Sequence, residues 1–363
     1  MDPTTSSAAP SEAGVPSKPG SSPHGAPPPP DRAATAPPPE RVDGPPIRIV
    51  VHGSSGITES TDIAALATLH ADAKSCLWID LIDPDPDLVR EVGKQLGLHP
   101  LIAENIAEAN QRAKIETFGE VVHIVLFSLR FAGKAEAYEI DFVLGDRFLL
   151  SVHGQESDLA SAAKLRVDAV KVLDRGADYL LYALADHVVD SYFPVLDELA
   201  EEIDELQDKV VATADETTLQ RLFELKRELI AIRRATSPAR EIFNQLTNRE
   251  GVSIDEAHVV YFRDVYDHLI RVTDELDNYR ELVAGTLDIY LTIVNNNLSI
   301  IMKRLTGVTV ILAGIGAVAG LFGMSEAGNA FAGGESIGFW IVTAFTVTIA
   351  VVAAVVLRRI NWI

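Results

Sequence analysis

"LTGVTVILAGIGAVAGLFGMS" (305–325) and "SIGFWIVTAFTVTIAVVAAVVL" (336–357) contain no charged side chain. Each is long enough to cross a hydrocarbon core of about 30 Å at about 1.5 Å per helical residue. Lys303 and Arg304 precede the first stretch and Arg358 and Arg359 follow the second, while the connector 326–335 holds Glu326 and Glu335 and no basic residue. Basic flanks stay on the cytoplasmic side, which places both termini in the cytoplasm of a cell (inner or plasma) membrane and the short acidic loop outside. Trp340 and Trp362 stand near the span ends, where interfacial aromatics collect. The expected element is a two-helix hairpin in membrane lipid.

One hairpin cannot enclose a water-filled path, so a conducting form needs several copies around a common axis. The first span is rich in small residues, with Gly316 and Gly320 one helical turn apart. Small residues let membrane helices approach closely, which serves hairpin or dimer packing as well as it serves a pore.

Upstream, 47–153 reads as mixed α/β. Candidate strands are 47–52, 77–82, 121–131, 139–145 and 147–153, rich in β-branched and apolar residues, with Gly145-Asp146 as a tight turn between the last two. Residues 83–106 carry helical periodicity behind Asp-Pro start signals. From about 155 the pattern is helical. Leu196, Leu199, Ile203, Leu206 and Val210 recur at three- and four-residue spacing, with acidic residues from Asp197 to Asp208 on the other faces. A second helix over 215–248 pairs with this one through the turn at 211–216. A third begins near Ile254 and meets no proline before the membrane. It is expected to run unbroken into the first span, a rod of about 100 Å for roughly 70 residues.

The chain of 363 residues has 31 basic and 52 acidic side chains and a formal net charge of −21. Nucleic acid is excluded as a partner, because phosphate binding needs a basic face. Cations are the natural counterpart of such a surface, although most of the carboxylates read as solvated helix faces. Cys76 is the sole cysteine, so no internal disulfide forms and no oxidising compartment is required. All but five of the 19 prolines (Pro84, Pro86, Pro100, Pro194 and Pro238) fall in 1–46, a Pro/Ala-rich segment expected to be a disordered tail. No basic, apolar, cleavable segment opens the chain, so no secretory leader is expected. No phosphate-binding Gly-Lys loop, HExxH or nucleophile elbow is present, so the expectation is not an enzyme, with no cofactor.

Several ordered stretches carry a family resemblance. They are Trp78-Ile79-Asp80-Leu81, "GLHPLIAENI" (97–106), "QRAKIE" (111–116), "ADYLLYALAD" (177–186), "YFRDVYDH" (261–268), "LDIYL" (287–291) and "IMKRLT" (301–306), followed by Gly323-Met324-Ser325. From residue 47 onward the chain resembles the CorA-type divalent-cation (magnesium) channel/transporters. The resemblance implies an α+β membrane protein that assembles as a homopentamer. Its parts would be the tail (1–46), a cytoplasmic α/β domain (47–176), a long-helix bundle and stalk (177–304), a pore helix (305–325), an extracytoplasmic loop (326–335), a second span (336–357) and a basic cytoplasmic end (358–363).

By the same resemblance, pore positions fall on Ser299, Met302, Leu305, Thr309, Ala313, Gly316, Gly320 and Gly323, at steps that keep them on one helix face. Asp288 lies further down that face, where a ring of carboxylates would concentrate cations. Met302 and Leu305 would form an apolar gate that closes by dewetting; read alone, both are ordinary packing residues. Regulation by cytoplasmic metal would fall on Asp264, with Asn105 and Glu104 from a neighbouring copy. The expected function is passage of Mg²⁺, with Co²⁺ or Ni²⁺ as further substrates, driven by membrane potential.

Two positions depart from the family pattern. Ser325 stands where the signature Gly-Met-Asn has asparagine, so a ring of shorter hydroxyls replaces a ring of amides at the outer mouth. Asn105 stands where the sensor has a carboxylate, which weakens a hard-cation site unless Glu104 compensates. A zinc (proton-coupled) transporter of the same superfamily and a non-conducting membrane cation sensor are the alternative readings.

Overall fold

The structure, a computed structural model, describes residues 46–53, 56–72, 74–109, 111–157, 159, 172–248, 254–323 and 335–359. Nearly all of the proline-rich tail and the loop over 324–334, with Met324, Ser325 and Glu326, lie outside the described residues, as does Trp362.

A seven-stranded sheet organises the first part. Its strands are β1 (Ile47–Gly53), β2 (Gly56–Ser60), β3 (Cys76–Ile82), β4 (Lys114–Phe118), β5 (Val121–Phe131), β6 (Ala135–Leu144) and β7 (Phe148–His153), in the order β2-β1-β3-β7-β6-β5-β4. Every pairing is antiparallel except β3 with β7. That central parallel pair is buried on both faces, so every residue of "FLLSVH" is buried, Ser151 and His153 included. The β6–β7 turn closes on a Gly145 N–H to Phe148 carbonyl bond of 2.9 Å. A side chain at Gly145 would start 2.1 Å from the Phe148 ring, so only glycine fits there.

Alternating residues send two sets of side chains to opposite faces. Ile49, Leu77, Ile79, Leu81, Leu150 and Val152 pack under α1 (Leu66–Ala71), α2 (Pro86–Gln95) and α3 (Pro100–Glu108). Val50, Trp78, Leu126, Phe142 and Leu149 pack under α4 (Ala177–Asp190), α5 (Tyr192–Ala212), α6 (Glu216–Asn248) and α7 (Val259–Gly323). The α2–α3 stretch, read as one helical region, is two helices broken at Gly97, whose φ of +67° needs glycine. Asp85 restarts the chain into α2 by accepting from Leu88 N–H at 2.7 Å, with Pro86 at the first helical position.

α7 is 65 residues long, about 98 Å at 1.5 Å per residue, and begins at Val259; Ile254–His258 is a turn rather than its first residues. Phe262, Val265, Leu269, Val272, Leu276, Val283 and Tyr290 form a buried seam along its first half at alternating steps near 3.5 residues. That seam packs against α6 and α5. Further on, α7 holds an apolar stretch of mean hydropathy 1.7, of which 6% is buried, long enough to cross a membrane. α8 (Glu335–Arg359) follows, so Glu335, read as a loop residue, opens a helix.

Candidate ion path and cytoplasmic cation site

Asp288, Ser299, Met302, Leu305, Thr309, Ala313, Gly316 and Gly320 all lie on α7 and are all exposed in the single chain. At about 100° per residue, these positions and Gly323 span an arc of about 120°. Around Asp288 the arc points away from the seam, where Val283, Thr286 and Tyr290 are buried. Met302 and Leu305 are each 60% exposed, so neither is a packing residue within one chain. The Ser299 hydroxyl donates to the Asn295 carbonyl (2.9 Å) and the Thr309 hydroxyl to the Leu305 carbonyl (2.8 Å). With their protons committed to the helix, both oxygens keep lone pairs available as acceptors.

A second constellation forms where α4 meets α7. Asp186 and Asp190 are one turn apart on α4; Asp264 and His268 are one turn apart on α7. Ligand atoms of Asp186, Asp190 and His268 lie within 4.8 Å of one another, close enough for one metal ion to bridge. Among the described residues, the buried Asp186 Oδ1 and His268 Nδ1 have no hydrogen-bond partner; Asp190 Oδ1 sits 3.4 Å from that nitrogen, poorly aligned. Burial foremost, then the charge of Asp190, pushes the Asp186 carboxyl above the usual carboxylate range, with Asp264 adding in the same sense and His268 opposing. Such a group gains from a bound cation, which relieves both effects. Oxygen and imidazole donors together suit cobalt, nickel or zinc better than magnesium, which favours oxygen alone.

Sequence reading selected Asp264 and missed the other three, although Asp186 and His268 lie inside quoted motifs. The available signal was the i,i+4 spacing of Asp186 with Asp190 and of Asp264 with His268.

Glu104 and Asn105 lie on α3, across the sheet from α7, so one chain does not bring them to Asp264. Glu104 is exposed. Asn105 is half-buried and donates from Nδ2 to Glu116 Oε2 at 3.3 Å, while Lys114 Nζ lies 2.7 Å from the same oxygen.

A family profile described as CorA-like Mg2+ transporter protein matches residues 73–359. The cobalt/magnesium transport protein CorA of Thermotoga maritima is 33% identical over 273 residues, 74% of this chain and 78% of that protein. The complete structure of the CorA magnesium transporter from Methanocaldococcus jannaschii matches with a TM-score of 0.72 at 23% identity, covering 87% of this chain and 98% of that one. The cytoplasmic domain of ZntB from Vibrio parahaemolyticus matches with a TM-score of 0.54 at 15% identity, covering 69% and 98%. The two structural likenesses speak to fold alone.

Proposed function

The chain belongs to the CorA-like Mg2+ transporter family, and from that premise we propose that it carries divalent metal cations, magnesium and cobalt among them, across a membrane. The observation that carries this reading is the α7 stripe. One continuous helix runs from a packed acidic domain into an uncovered apolar stretch, and its exposed arc holds Asp288, two hydroxyls and a run of small residues.

Five copies around an axis would turn each arc position into a ring. Rings of Asp288 would draw cations to the inner entrance, and Met302 with Leu305 would gate the narrow part by excluding water. Magnesium dehydrates reluctantly, so hydroxyl and carbonyl oxygens along the arc would contact its water shell rather than the bare ion. An inside-negative potential of 100 mV supplies about 4.6 kcal/mol to a divalent ion, at roughly 2.3 per charge, so no nucleotide hydrolysis is needed. Both termini and the α/β domain would face the cytoplasm. There the Asp186, Asp190, Asp264 and His268 group would bind metal and favour the closed state, with Glu104 and Asn105 of a neighbouring copy completing the site. The neutral Asn105 makes that sensor weaker, so Asn105→Asp should close the pore at lower metal.

A zinc-carrying reading draws on one observation, the His268 nitrogen among the carboxylates. Flux into liposomes holding the purified protein separates the readings. Potential-driven uptake of Mg²⁺ and Co²⁺ supports the first, and zinc uptake that rises with a proton gradient supports the second. No flux for any divalent ion leaves a membrane cation sensor. Ser325→Asn should raise the magnesium rate relative to zinc; an unchanged ratio would remove Ser325 from ion choice.

A further inference from the structure

Among the described residues, an open recess of about 350 Å³ lies between α6, α7 and the segment leading into β4. Arg112, Arg233, Arg234 and Arg280 line it, beside the Ser237 hydroxyl and the Pro238 ring. In a chain of net charge −21, four guanidinium groups around one concavity run against the general composition. Their mutual repulsion is only partly relieved. Asp277 pairs with Arg233 (Nε to Oδ1, 2.8 Å) and with Arg280 (Nη1 to Oδ1, 2.9 Å). Burial opposes the effect, but those two arginines hold the Asp277 carboxyl below its usual range. Among the described residues no carboxylate forms an ion pair with Arg112 or Arg234, so one acid faces four bases.

We propose that this recess binds a soluble oligophosphate anion, such as a nucleoside triphosphate or an inorganic polyphosphate. The guanidinium fork matches phosphate oxygens two at a time, which a scattered set of lysines cannot do. The volume lies at the lower end of the range for small-molecule sites, about 300–1,000 Å³, larger than one phosphate group requires. Pro238 and Ile230 give the recess an apolar wall suited to a base or sugar. A lipid headgroup is out of reach, because Arg280 precedes Leu305 by about 37 Å along the helix. The ligand would compete with Asp277 for Arg233 and Arg280, and the Arg233–Asp277 ion pair ties α6 to α7. Asp277 stands about 16 Å along that helix from Asp288, on the same face. Occupancy would therefore loosen the α6–α7 contact on the cytoplasmic side of the path.

The test is calorimetric titration of the purified full-length protein, in detergent and metal-free buffer, with tripolyphosphate, with adenosine triphosphate and with sulfate at matched ionic strength. Saturable binding of either phosphate compound at one site per chain is expected, with sulfate at least tenfold weaker. Arg112→Ala with Arg234→Ala should weaken it at least tenfold. Arg112→Lys with Arg234→Lys should recover only part of the loss, with the thermal melt of both variants near wild type as the folding control. Equal affinity for the two phosphate compounds means the phosphate chain alone is read, and tighter nucleotide binding means the apolar wall contributes; either supports the proposal. No saturable binding at millimolar ligand, an unchanged affinity in the alanine variant, or equal binding of sulfate would overturn it. So would dissociation of the oligomer by the alanine pair in light scattering, which would assign the recess to acidic groups of a neighbouring copy. The titration contains no transported ion, so its failure leaves the transport reading untouched.

Discussion

The two halves of α7 are one helix built for two surroundings. From Phe262 to Tyr290 it buries a single stripe against α5 and α6, and charged residues such as Asp264, Asp274 and Glu281 take the outer face. From Leu298 to Gly320 it buries almost nothing: Leu298 is 53% exposed, Leu305 60% and Leu312 62%. In water, uncovered leucines at that density would aggregate. In the first half, apolar area removed from water does the stabilising. In the second, lipid and further copies of the chain must supply the cover, and small residues set how closely they approach.

The comparison is broken most readily by paired truncations. Phe262 is fully buried between Phe243 and Tyr182, so Phe262→Ala should cost about 3–5 kcal/mol. Leu312→Ala, in the uncovered half, should cost less than about 1 kcal/mol. Thermal melts of the purified full-length protein read both; equal losses would show that the two halves are packed alike.

Metal binding tests the junction of α4 with the first half of α7. Cobalt at about a hundredfold above its dissociation constant should stabilise the protein by about 2.7 kcal/mol, visible as a raised melting temperature. Asp186→Asn should remove most of that gain and make the metal-free protein more stable, because it deletes a carboxylate held above its ordinary range by burial and by Asp190. A cobalt shift of the same size in Asp186→Asn would place the metal elsewhere.

The smallest effect belongs to the sheet beneath. Trp78 Nε1 donates to Ser151 Oγ (3.0 Å), Ser151 donates to Asp80 Oδ1 (2.6 Å), and His153 Nε2 lies 3.2 Å from that oxygen. Burial lowers the His153 pKa, but the hydrogen bond and charge of Asp80 outweigh it and the net direction is up. A raised imidazole pKa contributes stability fully below the unfolded value of about 6.5 and loses it as pH rises through the folded value. The melting temperature should therefore fall modestly across that interval in wild type, and Asp80→Asn should flatten the step. A step that survives in Asp80→Asn would trace to another histidine.

How much of this was legible follows from where each signal resides. The charge-free span in α7, the unbroken rod and the five long strands are local patterns, and they read correctly. β2 and β4 were missed because they are short edge strands whose exposed positions, such as Glu59 and Thr117, interrupt the apolar alternation. The α2–α3 break was missed because Gly97 lies inside a continuous helical rhythm. Asp190 and His268, and the arginines around Pro238, belong to sites assembled by helix pairing across long separations. Their members look like solvated helix faces until the fold sets them opposite one another.

The most direct test concerns the arc from Ser299 to Gly320. Cys76 is half-buried with its thiol pushed up to about 11, and replacing it with alanine gives a background without thiols. Single cysteines at Ser299, Thr309 and Ala313, and at Val308 and Ile311 on the opposite face, can then be exposed to a charged thiol reagent during cobalt flux into liposomes. A pore lined by this arc requires block at the first three positions and little at the other two. Equal block on all faces, or none anywhere while flux persists, would contradict it.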